Sequence, residues 1–320
     1  MNRNECISTK EFAGGLCDLL DKKLGEVYSS QIMTAQKNNG VEKEVITIRR
    51  NDTECAPSFT TERLYELYRN GTTPEDIATR ISEIVLEEFD RAVPQAKEYC
   101  QKEWIQNHMY LRLLGVERNR EMLENSVYVP ILDLAAVFYV ITDMNEDGVR
   151  SFRLPKKIWE EQDMGSVAKW YPKALQNTAD FFGKTVMSME DCLLEMFQNK
   201  SEDDREKVLD RLFEKGDEVG FQVITNRQRT YGASVILYPD FLEKEEAEFG
   251  PFYLIPSSVH EMLLLPQSHP IAVSELNSMV KQVNETQVDP EDVLAWHVYR
   301  YSGETGLVSE TKEESEEVTE

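Results

Sequence analysis

The longest apolar run of the chain, Ile131–Ile141, places the strongest constraint on its fold. The run is rich in Val, Ile, Phe and Tyr, which is typical of a central β-strand. It is shorter than the roughly 18 apolar residues of a membrane helix, and it contains Asp133. The turn residues Met144–Gly148 then predict a partner strand over Val149–Leu154. The run therefore predicts the core of a sheet, and we expect no membrane contact.

Helical and strand-like patterns surround this run in mixed order. Asn39-Gly40 lies between two strand-like segments and predicts a hairpin. Thr73 with Pro74 and two acids predicts the start of a helix, which we expect to end before Pro94. Because no regular strand–helix–strand repetition is present, the pattern favours an α+β fold with a mixed or antiparallel sheet packed with helices.

The domain organisation follows from a change in composition near the C-terminus. We expect a single α+β domain over residues 1–302, in which residues 1–100 could form a helical N-terminal subregion. Residues 303–320 contain seven glutamates, one lysine and no aromatic residue. Such a segment cannot bury enough apolar surface to order itself, so the composition predicts a disordered acidic tail.

The charge of the chain excludes several classes of partner. With 59 acidic and 35 basic residues the formal net charge is −24, which repels nucleic acid and anionic membrane surfaces. The N-terminus has no hydrophobic core of a signal peptide, and the five cysteines form no Cys-x-x-Cys pair. Glycine-rich phosphate loops are absent from the sequence. We therefore expect a cytoplasmic protein with no cofactor and no nucleic-acid partner.

Short segments spread along the chain resemble one known family. The clearest is Phe252–Glu261, and further matching segments begin at Lys37–Gly40 and end at Val298–Tyr301. Their order resembles domain-of-unknown-function family 5688, uncharacterised proteins of anaerobic gram-positive bacteria. The resemblance implies one contiguous domain and implies no activity.

The sharpest cluster of reactive residues is Ser258, His260 and Glu261. A hydroxyl, an imidazole and a carboxylate are the groups that nucleophilic catalysis needs. In an extended segment, however, Ser258 and His260 share one face while Glu261 points to the other. The chain also has no Gly-x-Ser-x-Gly motif. The pattern favours a turn pinned by His260, and the alternative is a polar site that contains Ser258 and His260.

Five further residues are candidates for ligand binding. The polar side chains of Asn177, Asn226 and Tyr231 lie beside apolar segments, where they could pin loops or share a pocket with His260. Arg227 and Arg229 form a basic spot in an acidic chain. These two arginines could hold an anionic ligand or the acidic tail of the protein itself.

A weak metal motif is present at Asp143, Asn145 and Asp147, which match the opening of a calcium loop. Position twelve of that loop would be Leu154 instead of the glutamate that binds calcium. Acidic residues and asparagine next to a glycine are also ordinary hairpin residues. The motif therefore favours a turn.

Two hypotheses of function follow from the sequence. The first is a non-enzymatic interaction or regulatory protein, because no catalytic signature is present and the chain is strongly acidic. The second is an enzyme, with a hydrolase as the class considered, whose polar site surrounds Ser258 and His260. The sequence leaves open whether the protein is an enzyme.

Overall fold

The computed structural model describes residues 7–51, 56–145, 148–196 and 220–311. These residues fall into two units, an N-terminal unit, Met1–Trp104, and a C-terminal unit, Ile105–Glu320. Helices and three antiparallel sheets make up the described residues, which confirms the α+β class. None of the described helices has the length and apolar character that a membrane-spanning segment requires.

The N-terminal unit packs three helices with a three-stranded sheet of order β1-β2-β3. The predicted hairpin is confirmed, because β1 and β2 pair from Tyr28↔Arg50 to Gln36↔Glu42 and Asn39 has a φ of +59° between them. A capping box at Ser8 starts the first helix. The elements are α1 (Thr9–Leu24), β1 (Tyr28–Gln36), β2 (Glu42–Arg50), β3 (Ser58–Thr60), α2 (Thr61–Arg69) and α3 (Pro74–Tyr99).

Helix α3 begins as predicted, with Thr73 accepting a hydrogen bond from the backbone N–H of Asp76. The prediction that it ends before Pro94 is wrong, because the helix continues to Tyr99. A proline removes one helical hydrogen bond and strains the preceding turn, but it does not oblige the helix to end. The apolar stripe of the helix, which includes Ile81 and Val85, is buried in the core of this unit.

The C-terminal unit contains a four-stranded sheet built around the predicted central strand. Strand β6 pairs with β4 along one edge, and β5 and β7 share its other edge. Its strands are β4 (Met109–Gly115), β5 (Tyr128–Ile131), β6 (Leu134–Asn145) and β7 (Gly148–Arg153). The neighbouring helices are α4 (Lys102–His108), α5 (Arg120–Glu124), α6 (Lys156–Glu161) and α7 (Val167–Phe182).

The same unit contains a six-stranded antiparallel sheet of order β13-β12-β10-β11-β9-β8. Its strands are β8 (Thr185–Ser188), β9 (Gln222–Thr225), β10 (Phe252–Ser258), β11 (Glu261–Pro266), β12 (Tyr299–Ser302) and β13 (Gly306–Ser309). Its helices are α8 (Met189–Met196), α9 (Phe241–Phe249) and α10 (Val273–Thr286), with a 3-10 turn at Gly232–Leu237. Apolar residues of both sheets and of this turn, such as Leu134, Val235 and Leu254, share one core.

Strand β13 lies in the segment that the composition assigned to a tail. It pairs with β12 from Tyr299↔Ser309 to Ser302↔Gly306, so this part of the chain is ordered beyond residue 302. Backbone hydrogen bonds to an edge strand provide the order that the side chains of this segment could not provide. Residues 312–320 lie outside the described residues.

Candidate functional site

A pocket of about 710 Å³ lies in the C-terminal unit. Strands β4 and β7 form one wall, and the loop that follows β9 forms the other together with the 3-10 turn. Alternation along β4 places Tyr110 and Arg112 on the same face of the sheet. Across the strands, Tyr139 of β6 lies opposite Tyr110. The sheet therefore brings an arginine and two tyrosines together at the pocket.

Arg112 is held by four surrounding side chains. Its guanidinium carbon lies 4.1 Å from the ring centroid of Tyr139 and 3.8 Å from that of Tyr231. Its Nε donates a hydrogen bond to the Tyr110 hydroxyl at 2.7 Å, and its Nη2 donates to Ser151 Oγ at 2.8 Å. The two accepting oxygens are 2.9 Å apart and are hydrogen-bonded to each other. The aromatic rings and the pair of hydroxyls thus hold the guanidinium in one orientation.

Within the described part of the chain, no acidic side chain pairs with Arg112. Burial raises the pKa of the Tyr110 phenol, although Arg112 acts in the opposite direction. Burial likewise raises the pKa of Tyr139. Both phenols therefore remain uncharged near neutral pH. Among the described residues that line the pocket, two are arginines and none is acidic.

The loop between β9 and the 3-10 turn is closed by hydrogen bonds of its own. The side chain of Asn226 accepts from the Thr230 N–H at 3.2 Å and donates to the Thr230 carbonyl at 2.7 Å. Tyr231 follows with a φ of +52°. A Cβ on the next residue, Gly232, would lie 2.3 Å from Thr225 Oγ1. Only glycine fits there, so this contact fixes where the Tyr231 ring enters the pocket.

His260 anchors the same loop from the turn between β10 and β11. Its Nδ1 accepts a hydrogen bond from the Tyr231 N–H at 3.0 Å, and its Nε2 lies 3.3 Å from Asp292 Oδ1. Because Nδ1 is an acceptor, Nε2 carries the hydrogen of the neutral ring and donates it towards Asp292. Both ring nitrogens therefore make contacts that position Tyr231 and the turn.

The three residues of the candidate catalytic cluster lie in one turn, but they are not aligned as a nucleophile with its base. Ser258 Oγ accepts a hydrogen bond from the backbone N–H of His260 at 3.1 Å. Glu261 accepts from the neighbouring hydroxyl of Ser257 at 2.9 Å. Nucleophilic catalysis needs the serine hydroxyl to face the imidazole ring, whereas here it faces the backbone.

The remaining candidates are placed by local contacts. Asn177 donates to the carbonyls of Gln106, Asn107 and Met109 at 3.3, 3.4 and 2.9 Å, and so it pins the start of β4. Arg229 forms an ion pair with Glu195. The Asn226 and Tyr231 side chains line the pocket, whereas Asn177 does not.

Arg227 lies against the end of α7. A Cβ placed on Gly183 would be 2.6 Å from Arg227 Nε, so the side chain passes close to that glycine. Its backbone N–H also donates to the carbonyl of Phe182 at 3.1 Å. These contacts hold the start of the loop, and Arg227 is not among the pocket-lining residues.

The metal motif falls on the hairpin between β6 and β7. Asp143 and Asn145 belong to the last residues of β6, and Asp147 lies outside the described residues. Within the described ranges, no group of three or more His, Cys, Asp or Glu side chains could hold a metal ion. The described part of the motif is a strand end that leads into a hairpin.

A second polar cluster joins Asp133 to His297, Tyr299 and Ser309. Asp133 accepts a hydrogen bond from the Tyr299 hydroxyl at 3.0 Å and lies 3.5 Å from His297 Nε2. Ser309 Oγ is 2.8 Å from the same nitrogen. Burial opposes ionisation of Asp133, but hydrogen bonds from His297 and Tyr299 lower the pKa of its carboxyl below the ordinary value.

The sequence analysis missed Arg112, Tyr110, Tyr139 and Ser151. A signal was present, since Arg112 interrupts a strand that is otherwise apolar, Met109–Gly115. A charged residue in a buried strand usually has a partner or a role. Its partners lie on two other strands and a distant loop, so the strand alone could not identify them.

Comparisons with known proteins identify the family. The model of the family of unknown function DUF5688 matches residues 9–303. This match covers nearly the whole chain, and the protein therefore belongs to that family. No curated protein and no solved structure matches the chain.

Proposed function

We propose that this member of a family of unknown function is a non-enzymatic regulatory protein that binds a small anionic ligand in the pocket of its C-terminal unit. One observation carries the proposal. Arg112 is held in an open pocket by aromatic rings and hydroxyls, and no carboxylate pairs with it among the described residues. A positioned guanidinium with unused N–H groups is suited to an oxyanion.

The surroundings of Arg112 support binding through local charge. The chain carries a net charge of −24, yet the described residues that line the pocket include Arg112 and no acid. An anion therefore meets a locally positive cavity in a negative molecule.

The chemistry of the pocket favours binding over catalysis. No His, Cys, Asp, Glu or Lys is among its described lining residues, so among these residues only the tyrosines belong to the usual general acids and bases. The alternative, a hydrolase at Ser258 and His260, draws no support from the geometry, because that serine hydroxyl faces the backbone. The cytoplasmic location and the lack of a nucleic-acid partner stay predictions from the sequence.

Calorimetric titration of small anions into the full chain tests the proposal. We use naphthylacetate, naphthyl phosphate and inorganic phosphate as probes. At least one should bind with a single site, and Arg112→Gln should weaken it by about 10- to 100-fold, as a charge-assisted bond of about 1.5–3 kcal/mol implies. Arg118→Gln is the matched control, because Arg118 stacks on Trp296 at 4.5 Å and does not line the pocket. Equal binding by wild type and Arg112→Gln would refute the proposal.

A further inference from the structure

We infer that the pocket selects a monocarboxylate with an apolar body, and that the unoccupied edge of the Arg112 guanidinium binds the carboxylate. This inference rests on the proposed function and names the ligand class of the same site. Three features carry it: the edge of Arg112 that remains available, the engagement of three neighbouring polar side chains in hydrogen bonds of their own, and the apolar part of the wall.

The first feature is the orientation of Arg112. An arginine has two edges that can grip an oxyanion with parallel N–H groups, one formed by Nε and Nη2 and the other by Nη1 and Nη2. The hydroxyls of Tyr110 and Ser151 already occupy the first edge. The second edge has no partner among the described residues. It presents two parallel donors in a fixed plane, which matches the two oxygens of a carboxylate.

The second feature is that three polar neighbours of Arg112 make hydrogen bonds of their own. The side chains of Asn226, Thr230 and Ser234 each donate a hydrogen bond to a backbone carbonyl of the same segment. A phosphate monoester carries a charge of about −1.5 to −2 and three strong acceptor oxygens, so it needs several donors. A carboxylate needs only the one edge that Arg112 offers.

The third feature is the apolar part of the wall. The buried side chain of Phe182 lines the pocket, and Val149 lines it from β7, on the same face as Ser151. Ligand pockets of about 300–1,000 Å³ typically combine such surfaces with a few polar groups that orient the ligand. The apolar wall provides room for a hydrocarbon or aromatic body next to the carboxylate.

Three probes with the same naphthyl body test the inference on the wild-type chain alone. Naphthylacetate carries the carboxylate, naphthylacetamide is its neutral counterpart, and naphthyl phosphate carries the dianion. We expect naphthylacetate to bind with a single site, and each of the other two to bind at least about 10-fold more weakly in titration calorimetry. This comparison does not depend on the folding of any variant.

Two variants then test the role of the guanidinium edge. Arg112→Lys keeps the positive charge but removes the parallel donors, and it should weaken naphthylacetate by about 10-fold. Arg118→Lys makes the same change on an arginine outside the pocket and should leave the affinity unchanged. An unchanged affinity in Arg112→Lys would overturn the role of the edge.

The outcomes separate this inference from the proposed function. If naphthyl phosphate binds as tightly as naphthylacetate and depends on Arg112, the anion site stands and the carboxylate selectivity is wrong. If naphthylacetamide binds as tightly as the acid, the pocket does not recognise charge, and both proposals fail. If none of the three probes binds to the wild type, the carboxylate inference fails, and the proposed function fails as well when inorganic phosphate does not bind either.

Discussion

Replacing His260 by asparagine or by glutamine separates the two contacts of its imidazole ring. Nδ1 is two bonds from Cβ, as is the amide oxygen of asparagine, so His260→Asn can still accept the hydrogen bond from Tyr231. Nε2 is three bonds from Cβ, as are the amide atoms of glutamine, so His260→Gln can still reach Asp292. Both variants lose the ring, which lies 5.3 Å from the ring of Tyr231, so the packing loss is shared.

The two contacts differ in their expected contribution to stability. Removing the Nδ1 acceptor leaves the Tyr231 N–H without its partner, which costs about 1–3 kcal/mol for a buried donor. The contact of Nε2 with Asp292 joins side chains that are 33% and 32% exposed, so it contributes about 0–1 kcal/mol. His260→Gln should therefore be less stable than His260→Asn by about 1–2 kcal/mol.

Urea unfolding of the full chain, followed by tryptophan fluorescence, measures this difference. An unchanged dependence on urea concentration would show that the variants differ in stability alone. The matched control is the same pair of substitutions at His269, whose Nδ1 is buried without a hydrogen-bond partner in the described structure. There asparagine and glutamine should differ little.

The same pair also reports on the pocket, because the Tyr231 ring lies against Arg112. If His260 positions this ring, His260→Gln should weaken the binding of naphthylacetate more than His260→Asn does. If His260 only stabilises the fold and does not position the Tyr231 ring, the two variants should differ in stability and bind naphthylacetate with the same affinity. Equal stability of the two variants, or a less stable His260→Asn, would refute the reasoning that the bond to Tyr231 dominates.

Three further predictions concern glycines and one carboxylate. Gly232→Ala should lower the free energy of unfolding by about 3 kcal/mol in urea denaturation, because its Cβ would lie 2.6 Å from the carbonyl oxygen of His260; an unchanged stability would contradict the close contact. A Cβ on Gly15 in α1 would have no neighbour within 4 Å, so Gly15→Ala should raise the free energy of unfolding, measured by thermal denaturation, by about 0.5–1 kcal/mol. A lower free energy of unfolding would argue against an open helix surface. Since the pKa of Asp133 is lowered in the folded state, its charge stabilises the fold above its ordinary pKa of about 3.9. That contribution is lost as the pH falls through the folded pKa, so Asp133→Asn should approach wild-type stability in acid, and a pH-independent difference would contradict this.

Local patterns predicted much of the fold because neighbouring residues determine them. The hairpin at Asn39-Gly40 follows from residues that tolerate positive φ, and the start of α3 follows from the capping residue Thr73. The central strand β6 follows from a run of β-branched and aromatic residues. Local patterns did not predict the continuation of α3 past residue 94 or the pairing of β13. Both depend on contacts with residues outside the local stretch of sequence.

The candidate site shows the same limit. The sequence left open whether Asn226 and Tyr231 pin loops or share a pocket with His260, and it favoured His260 as the pin of a turn. In the structure the two loop residues line the pocket, and His260 lies beside Tyr231 without lining it. The sequence did not identify Arg112. A charged residue in an apolar strand indicates that a partner exists, but it does not show which residues surround the arginine.

What the sequence by itself determined is therefore the class of the fold, the central strand, the turns and the acidity of the chain. These properties follow from propensities and charges that each segment carries with it. Only the tertiary structure decided which side chains meet. Strands β4, β6 and β7 bring Arg112, Tyr139 and Ser151 together, and the loop that follows β9 adds Tyr231. The pocket exists because packing joins residues that no local pattern connects.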